Sequence, residues 1–128
     1  MTKNYEELCE TAIKARECSY APYSKFRVGA ALLAMDGTIF TGCNVENASY
    51  GLCICAERTA ICKAVSEGVR EFEAIAVSAV PLASPCGACR QFLVEFGKEI
   101  TVISINADDA TQKKIWKSGD LIPESFEF

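Results

Sequence analysis

Two well-separated stretches constrain this chain more than any other feature: Cys53-Ile54-Cys55-Ala56-Glu57-Arg58 and Ser84-Pro85-Cys86-Gly87-Ala88-Cys89-Arg90. A catalytic Zn²⁺ takes three protein ligands and leaves a fourth position to water. Cys55, Cys86 and Cys89 supply three thiolates, and the chain contains no His to provide the commoner nitrogen ligand. Glu57, two residues beyond Cys55, would then stand beside the ion and shuttle protons. A fold for this sequence has to bring the two stretches together.

Composition narrows the classes. Half of the 128 residues are hydrophobic and 23% are charged, a globular balance in a chain long enough to bury a core. No apolar run reaches the ~18 residues that span a bilayer. Glu6, Glu7 and Glu10 precede any apolar run, unlike a secretory signal, so the expectation is a soluble cytoplasmic protein with no membrane partner. The formal charge is −4. Lys113, Lys114 and Lys117 make only a weak basic cluster, which argues against a nucleic-acid partner and for a small, roughly neutral ligand. Eight cysteines without an export signal point to metal binding or burial rather than a disulfide scaffold. Cys9, Cys18 and Cys62 read as helix-face core residues.

Along the chain, Asn4 with Glu7 reads as a capping box opening an amphipathic helix from Tyr5 to Cys18. Ser19 to Lys25 is a loop. Phe26 to Met35 and Thr38 to Cys43 form a hairpin around a two-residue Asp36-Gly37 turn. Gly29 and Gly42 within it suggest close backbone approach or a bulge. A polar segment, Asn44 to Leu52, leads into a helix from Cys55 to Glu67, stopped by Gly68. Phe72 to Val80 is a third strand, Cys86 to Phe96 a helix, and Ile100 to Asn106 a fourth strand parallel to the third. Gln112 to Lys117 is a fifth strand or a helical turn, with Ile115 and Trp116 facing the core. This order predicts one α/β domain over residues 1–128, a three-layer α/β/α sandwich on a mixed sheet of about five strands.

Other readings of the cysteines exist. A thioredoxin-like redox pair would need a different order of elements around Cys86 and Cys89. A purely structural zinc would need Cys53 as fourth ligand, and Cys53-Ile54-Cys55 at a helix start is badly placed to aim two sulfurs at one point. Glu57 could be an ordinary first-turn acid and Arg58 a solvated helix residue. However, Cys55-Ala56-Glu57 joined to Pro85-Cys86-Gly87-Ala88-Cys89 matches the known zinc-deaminase signature, in which the Glu is not a ligand. Zinc lowers the pKa of its water from ~15.7 towards ~7. The hydroxide attacks a carbon bearing an amino group while Glu57 carries protons from the water to the ring nitrogen and the leaving ammonia. Three thiolates and one Zn²⁺ sum to −1, a charge that Arg58, and more weakly Arg90, would offset.

The likeness extends beyond the signature, through Tyr20-Ala21-Pro22-Tyr23-Ser24-Lys25-Phe26, Val28-Gly29-Ala30-Ala31-Leu32, Gly42-Cys43-Asn44-Val45-Glu46-Asn47-Ala48 and Ser84 to Gln91. Over nearly its whole length the chain resembles the small zinc-dependent cytidine deaminases of the homotetrameric kind. That resemblance implies hydrolytic deamination of cytidine and 2′-deoxycytidine at C4, in pyrimidine salvage. It implies that Phe26 stacks on the pyrimidine, Asn44 and Glu46 hold the ribose hydroxyls, and the Ala56 backbone and Glu57 carboxylate read the base edge. In the implied tetramer, Ala48 and Tyr50 from one neighbour and Phe126 from another complete each site, and the Phe126/Phe128 tail is buried against a partner. Cys43 and Cys53 stay outside the ligand set as core thiols. A polynucleotide deaminase would show a basic face. A blasticidin S-type deaminase would share the fold but differ at Asn44-Val45-Glu46-Asn47, and a non-enzymatic zinc module would need no Glu57.

Overall fold

The structure is a computed structural model that describes residues 5–128. Helix α1 (Glu6–Ala15) runs on into a 3₁₀ turn, Arg16–Cys18. Tyr5 precedes it in a left-handed conformation, φ 53°, with no side-chain cap. The expected cap, Asn4, lies outside the described residues. Strands β1 (Gly29–Ala34) and β2 (Ile39–Cys43) form the hairpin, followed by α2 (Ala56–Ser66), β3 (Phe72–Ala79), α3 (Gly87–Val94), β4 (Thr101–Asn106) and β5 (Asp109–Lys117).

The five strands lie in the order β2-β1-β3-β4-β5. β3 and β4 are parallel, joined by the α3 crossover, and the other three pairings are antiparallel. Side chains alternate across the pleat, so β1, β3 and β4 each serve two cores. On one face Leu8, Cys9 and Ala12 of α1 pack on Ala31, Ala74, Ala76, Ile103 and Ile105. On the other, Ala56, Ala60, Ile61 and Ala64 of α2 and Leu93 of α3 pack on Ala30, Leu32, Ile75 and Val102. This is the expected three-layer sandwich. Among the described residues, no helix is long and apolar enough to cross a membrane.

Two glycines set how closely the layers meet. A Cβ on Gly29 would lie 2.2 Å from the carbonyl oxygen of Ala12 in α1. A Cβ on Gly42 would lie 2.4 Å from the Ala56 carbonyl oxygen and 2.6 Å from the Ala60 nitrogen in α2. The second contact matters for chemistry, because it seats the first turn of α2, which carries Ala56 and Glu57, directly on β2.

Several expectations need correction. The hairpin connection has three residues, Met35, Asp36 and Gly37, since Ala34 N–H bonds to the Thr38 carbonyl at 2.9 Å. Gly37 takes φ 93° at its last position, and the Asp36 carboxylate accepts from Thr38 N–H. Phe26 to Val28 are not in the ladder, because the Asn44 side chain bonds their backbone groups instead. The tail segment is a full edge strand. Trp116 is partly buried, but Ile115 is 61% exposed because adjacent strand residues point to opposite faces. Cys9 is buried as expected, while Cys18 and Cys62 are exposed, one past the end of α1 and the other on the solvent side of α2. Cys43 and Cys53 are half-buried rather than core thiols.

The Gly42 contact gives a direct test. Gly42→Ala forces backbone apart and should lower unfolding free energy by ~3 kcal/mol in urea denaturation. Gly51, whose Cβ would meet nothing within 4 Å, should tolerate Ala within ~0.5 kcal/mol. Equal stabilities for the two variants would contradict the close approach.

Candidate metal centre and active site

Cys55 and Cys86 are the N-cap residues of α2 and α3, both with extended backbone, and Cys89 lies in the first turn of α3. Their carbonyls accept the first helical bonds, from Thr59 N–H at 3.1 Å and Arg90 N–H at 3.0 Å. The free amides of both first turns therefore surround the sulfurs and favour thiolate. The Cys55 and Cys86 sulfurs are 3.7 Å apart, and all three sulfurs lie within 4.8 Å of one another. Sulfurs at ~2.3 Å from a tetrahedral Zn²⁺ stand about 3.8 Å from each other, so the donor set fits zinc. Cys53 takes no part. Its sulfur accepts from Asn47 N–H at 3.3 Å, and its carbonyl accepts from Arg58.

The cluster is electrostatically uneven. The Cys55 thiol is pulled down to about 5, chiefly by its hydrogen bond with Cys89 and also by Arg58 and Cys86, against the upward push of burial. Cys89 is pushed up by that same bond and by burial. The Arg58 Nη2 stands 3.6 Å from the Cys55 sulfur, and this contact raises the arginine above its usual range.

Glu57 is 4% exposed, the only charged residue among the buried polar side chains described. Burial raises its carboxyl above the ordinary range, and the negative charge at Cys55 adds to this. A carboxyl whose pKa is raised by its surroundings is better suited to giving back a proton than a solvated one. It opens on a cavity of about 200 Å³ lined by Cys55, Ala56, Glu57, Cys86, Phe26 and Asn44. Val28, Val77 and Ala79 make further walls apolar, and Phe26 is 39% exposed, leaving its ring free for a flat partner. A larger cleft of about 410 Å³, among Glu71, Glu99 and Lys117, contains none of the sulfurs. Chemistry, not size, distinguishes the smaller one.

The remaining expected site residues are placed less simply. Segment 44–46 is extended, because Val45 bridges to both Tyr20 and Ile54. Asn44 lines the 200 Å³ cavity, yet its Oδ1 accepts from Val28 N–H and its Nδ2 donates to the Phe26 carbonyl. Glu46 lines a neighbouring cavity of about 340 Å³ with Tyr23, Ser24, Tyr50 and Cys53. Its carboxylate accepts from Tyr23 N–H, Ser24 N–H and the Ser24 hydroxyl, and the Ser24 bonds are the main reason its pKa is lowered. The two side chains thus anchor the 23–28 segment and do not meet in one cavity. Ala48 is exposed, Tyr50 is 74% exposed and edge-on to Tyr23, and Phe126 is 68% exposed and edge-on to Phe128. None of these three lines the cavity that holds Glu57.

Sequence reasoning missed the work of Arg90. Its Nε donates to the Pro85 carbonyl at 2.8 Å, its Nη2 to the Ser84 hydroxyl at 3.1 Å and its Nη1 to the Leu121 carbonyl at 2.9 Å. The Ser104 hydroxyl adds a bond to the Ala83 carbonyl. These bonds tie down the loop ahead of Cys86. No sulfur is among the bond partners of Arg90, so the weaker suggestion of charge offset is replaced by loop anchoring. Arg90→Ala should therefore weaken zinc binding ~10–100-fold, the usual effect of removing support for a ligand, as measured by chelator competition. Unchanged affinity would contradict the anchoring role.

Comparison with known proteins agrees with this geometry. Residues 2–105 match the profile described as "Cytidine and deoxycytidylate deaminase zinc-binding region". A cytidine deaminase of Sporosarcina psychrophila is 62% identical over 94 residues, 71% of this chain and 68% of that one. One from Halalkalibacterium halodurans is 49% identical over 124 residues, 93% of this chain and 91% of its own. The crystal structure of cytidine deaminase from Burkholderia pseudomallei superposes with a TM-score of 0.90 at 50% identity, covering 98% of this chain and 100% of that one. The chain belongs to the cytidine deaminase family, with its zinc-binding region.

Proposed function

We propose that this chain is a single catalytic domain over residues 1–128 that hydrolyses cytidine and 2′-deoxycytidine to uridine and 2′-deoxyuridine, releasing ammonia, in pyrimidine salvage. One observation carries the proposal: a buried carboxyl, Glu57, sits beside three converging sulfurs at a small apolar cavity. Zinc held by Cys55, Cys86 and Cys89 supplies Lewis-acid activation of the attacking water.

The rest is work for the chain. Glu57 takes the proton from the water as its oxygen bonds to C4, and delivers it to the ring nitrogen N3. It then moves a second proton from the new hydroxyl to the exocyclic amine. The C4–N bond breaks with its electron pair on nitrogen, so one water enters and one ammonia leaves. The raised pKa of Glu57 suits it to both the acid and the base role. Arg58 offsets the negative charge of the sulfurs through its contact with Cys55. The Ala56 backbone and Glu57 read the base edge, Phe26 stacks on the pyrimidine, and Asn44 and Glu46 face the ribose.

Exposed apolar groups around this site support a homotetramer. Tyr50, Leu52, Ile54, Phe126 and Phe128 are all exposed. Ala48 and Tyr50 of one neighbour and Phe126 of another would close the cavities of each subunit. Eight free cysteines suit the reducing cytoplasm.

The test is cytidine turnover, followed by loss of its absorbance and formation of uridine. Zinc-loaded protein should turn cytidine over, and Glu57→Gln should keep its zinc while losing at least ~10³-fold in kcat. No turnover by the zinc-loaded wild type would overturn the proposal. Loss of zinc from Glu57→Gln would make Glu57 a ligand and overturn its proton-carrying role.

A further inference from the structure

Lys25 stands out on the backbone with φ 63°, a left-handed conformation that non-glycine residues seldom adopt. Such strain persists only where surrounding bonds over-determine it. Here Lys25 N–H bonds to the Ala21 carbonyl at 3.0 Å, and Glu46 Oε1 accepts from Tyr23 N–H at 3.0 Å and Ser24 N–H at 3.1 Å. The Ser24 hydroxyl completes the set. It donates its only proton to Glu46 Oε2 and accepts from Phe26 N–H at 3.0 Å.

That hydroxyl joins the linings of two cavities. Glu46 lines the outer cavity and Phe26 the inner one with Glu57. A carboxylate has about four acceptor sites, and the Tyr23–Ser24 segment occupies three of them, leaving capacity for a ligand hydroxyl. Moving Glu46 moves the Ser24 hydroxyl, and with it the amide that sets where the Phe26 ring begins. No bond of Ser24 reaches Cys55, Glu57, Cys86 or Cys89, so its influence falls on binding and not on the chemical step.

We propose that Ser24 is a positioning residue that couples ribose recognition at Glu46 to placement of the Phe26 ring against the base. This rests on the reading of Glu46 and Phe26 as substrate contacts.

A double-mutant cycle tests it, using cytidine kinetics together with calorimetric binding of the product uridine, and with zinc content and melting temperature measured for each variant. Ser24→Ala should raise KM and the uridine Kd about tenfold with kcat within about twofold of wild type, and Ser24→Thr, which keeps the hydroxyl, should stay within about threefold on all three. In a Glu46→Ala background the same Ser24→Ala change should add less than about threefold, because the two residues act as one unit. The inference is overturned if Ser24→Ala binds like wild type, if kcat falls as much as KM rises, or if the tenfold effect persists without Glu46. A wild type that neither turns over cytidine nor binds uridine overturns the deaminase reading itself, and the inference with it. Wild-type turnover with KM unmoved in Ser24→Ala overturns the inference alone.

Discussion

Like-charged sulfurs have to share one point in space, and the rest of the molecule is arranged around that demand. Two thiolates 3.7 Å apart repel by about 4 kcal/mol even at an effective dielectric of ~20. The chain meets this with three devices. Two helices begin at the cluster, so unbonded first-turn amides face the sulfurs. A guanidinium lies against Cys55. And the Cys55 and Cys86 sulfurs stand close enough to share a proton until a metal replaces it. A divalent cation completes the balance, which explains why the cluster is a metal centre and not a reactive thiol pair.

Each helix start is held by a different means. The first turn of α2 is pressed onto β2, where only a glycine leaves room for the Ala56 carbonyl. The loop before α3 is pinned by Arg90 and Ser104, which bind its carbonyls and hydroxyl from the helix and the neighbouring strand. The parallel β3–β4 pair fixes the crossover between them. Burial of Glu57 follows from the same geometry, since the residue lies in a first turn that is packed against the sheet. Sulfurs and carboxyl lie at the helix ends, while Phe26, Asn44 and Glu46, the residues proposed to face the rest of the ligand, come from two segments tied to each other by side-chain bonds.

Much of this was legible in the sequence, for physical reasons. The hairpin, the helices and β3 and β4 show strong periodicity and punctuation, so their existence and order could be read. The cluster could be read because Cys55-Ala56-Glu57 and Pro85-Cys86-Gly87-Ala88-Cys89 match the zinc-deaminase signature in residue type and spacing. The tail could not, because an edge strand exposed along most of its length carries no alternation to betray it. The exposure of Cys18 and Cys62 is hidden in the sequence, because apolar character at helical spacing does not say where the covered face ends. The separate duties of Asn44 and Glu46 were invisible, since their partners lie some twenty residues away in a loop. The anchoring role of Arg90 is hidden for the same reason: its bond to Leu121 crosses 31 residues.

The central claim is that three thiolates, and not four, hold the metal and leave one position to water. X-ray absorption at the zinc edge of the purified protein tests this most directly. The account predicts three sulfur scatterers at ~2.3 Å and one lighter oxygen or nitrogen atom per zinc, with one zinc per chain. Four sulfurs, which would require Cys53 to leave Asn47 and join the cluster, would contradict it.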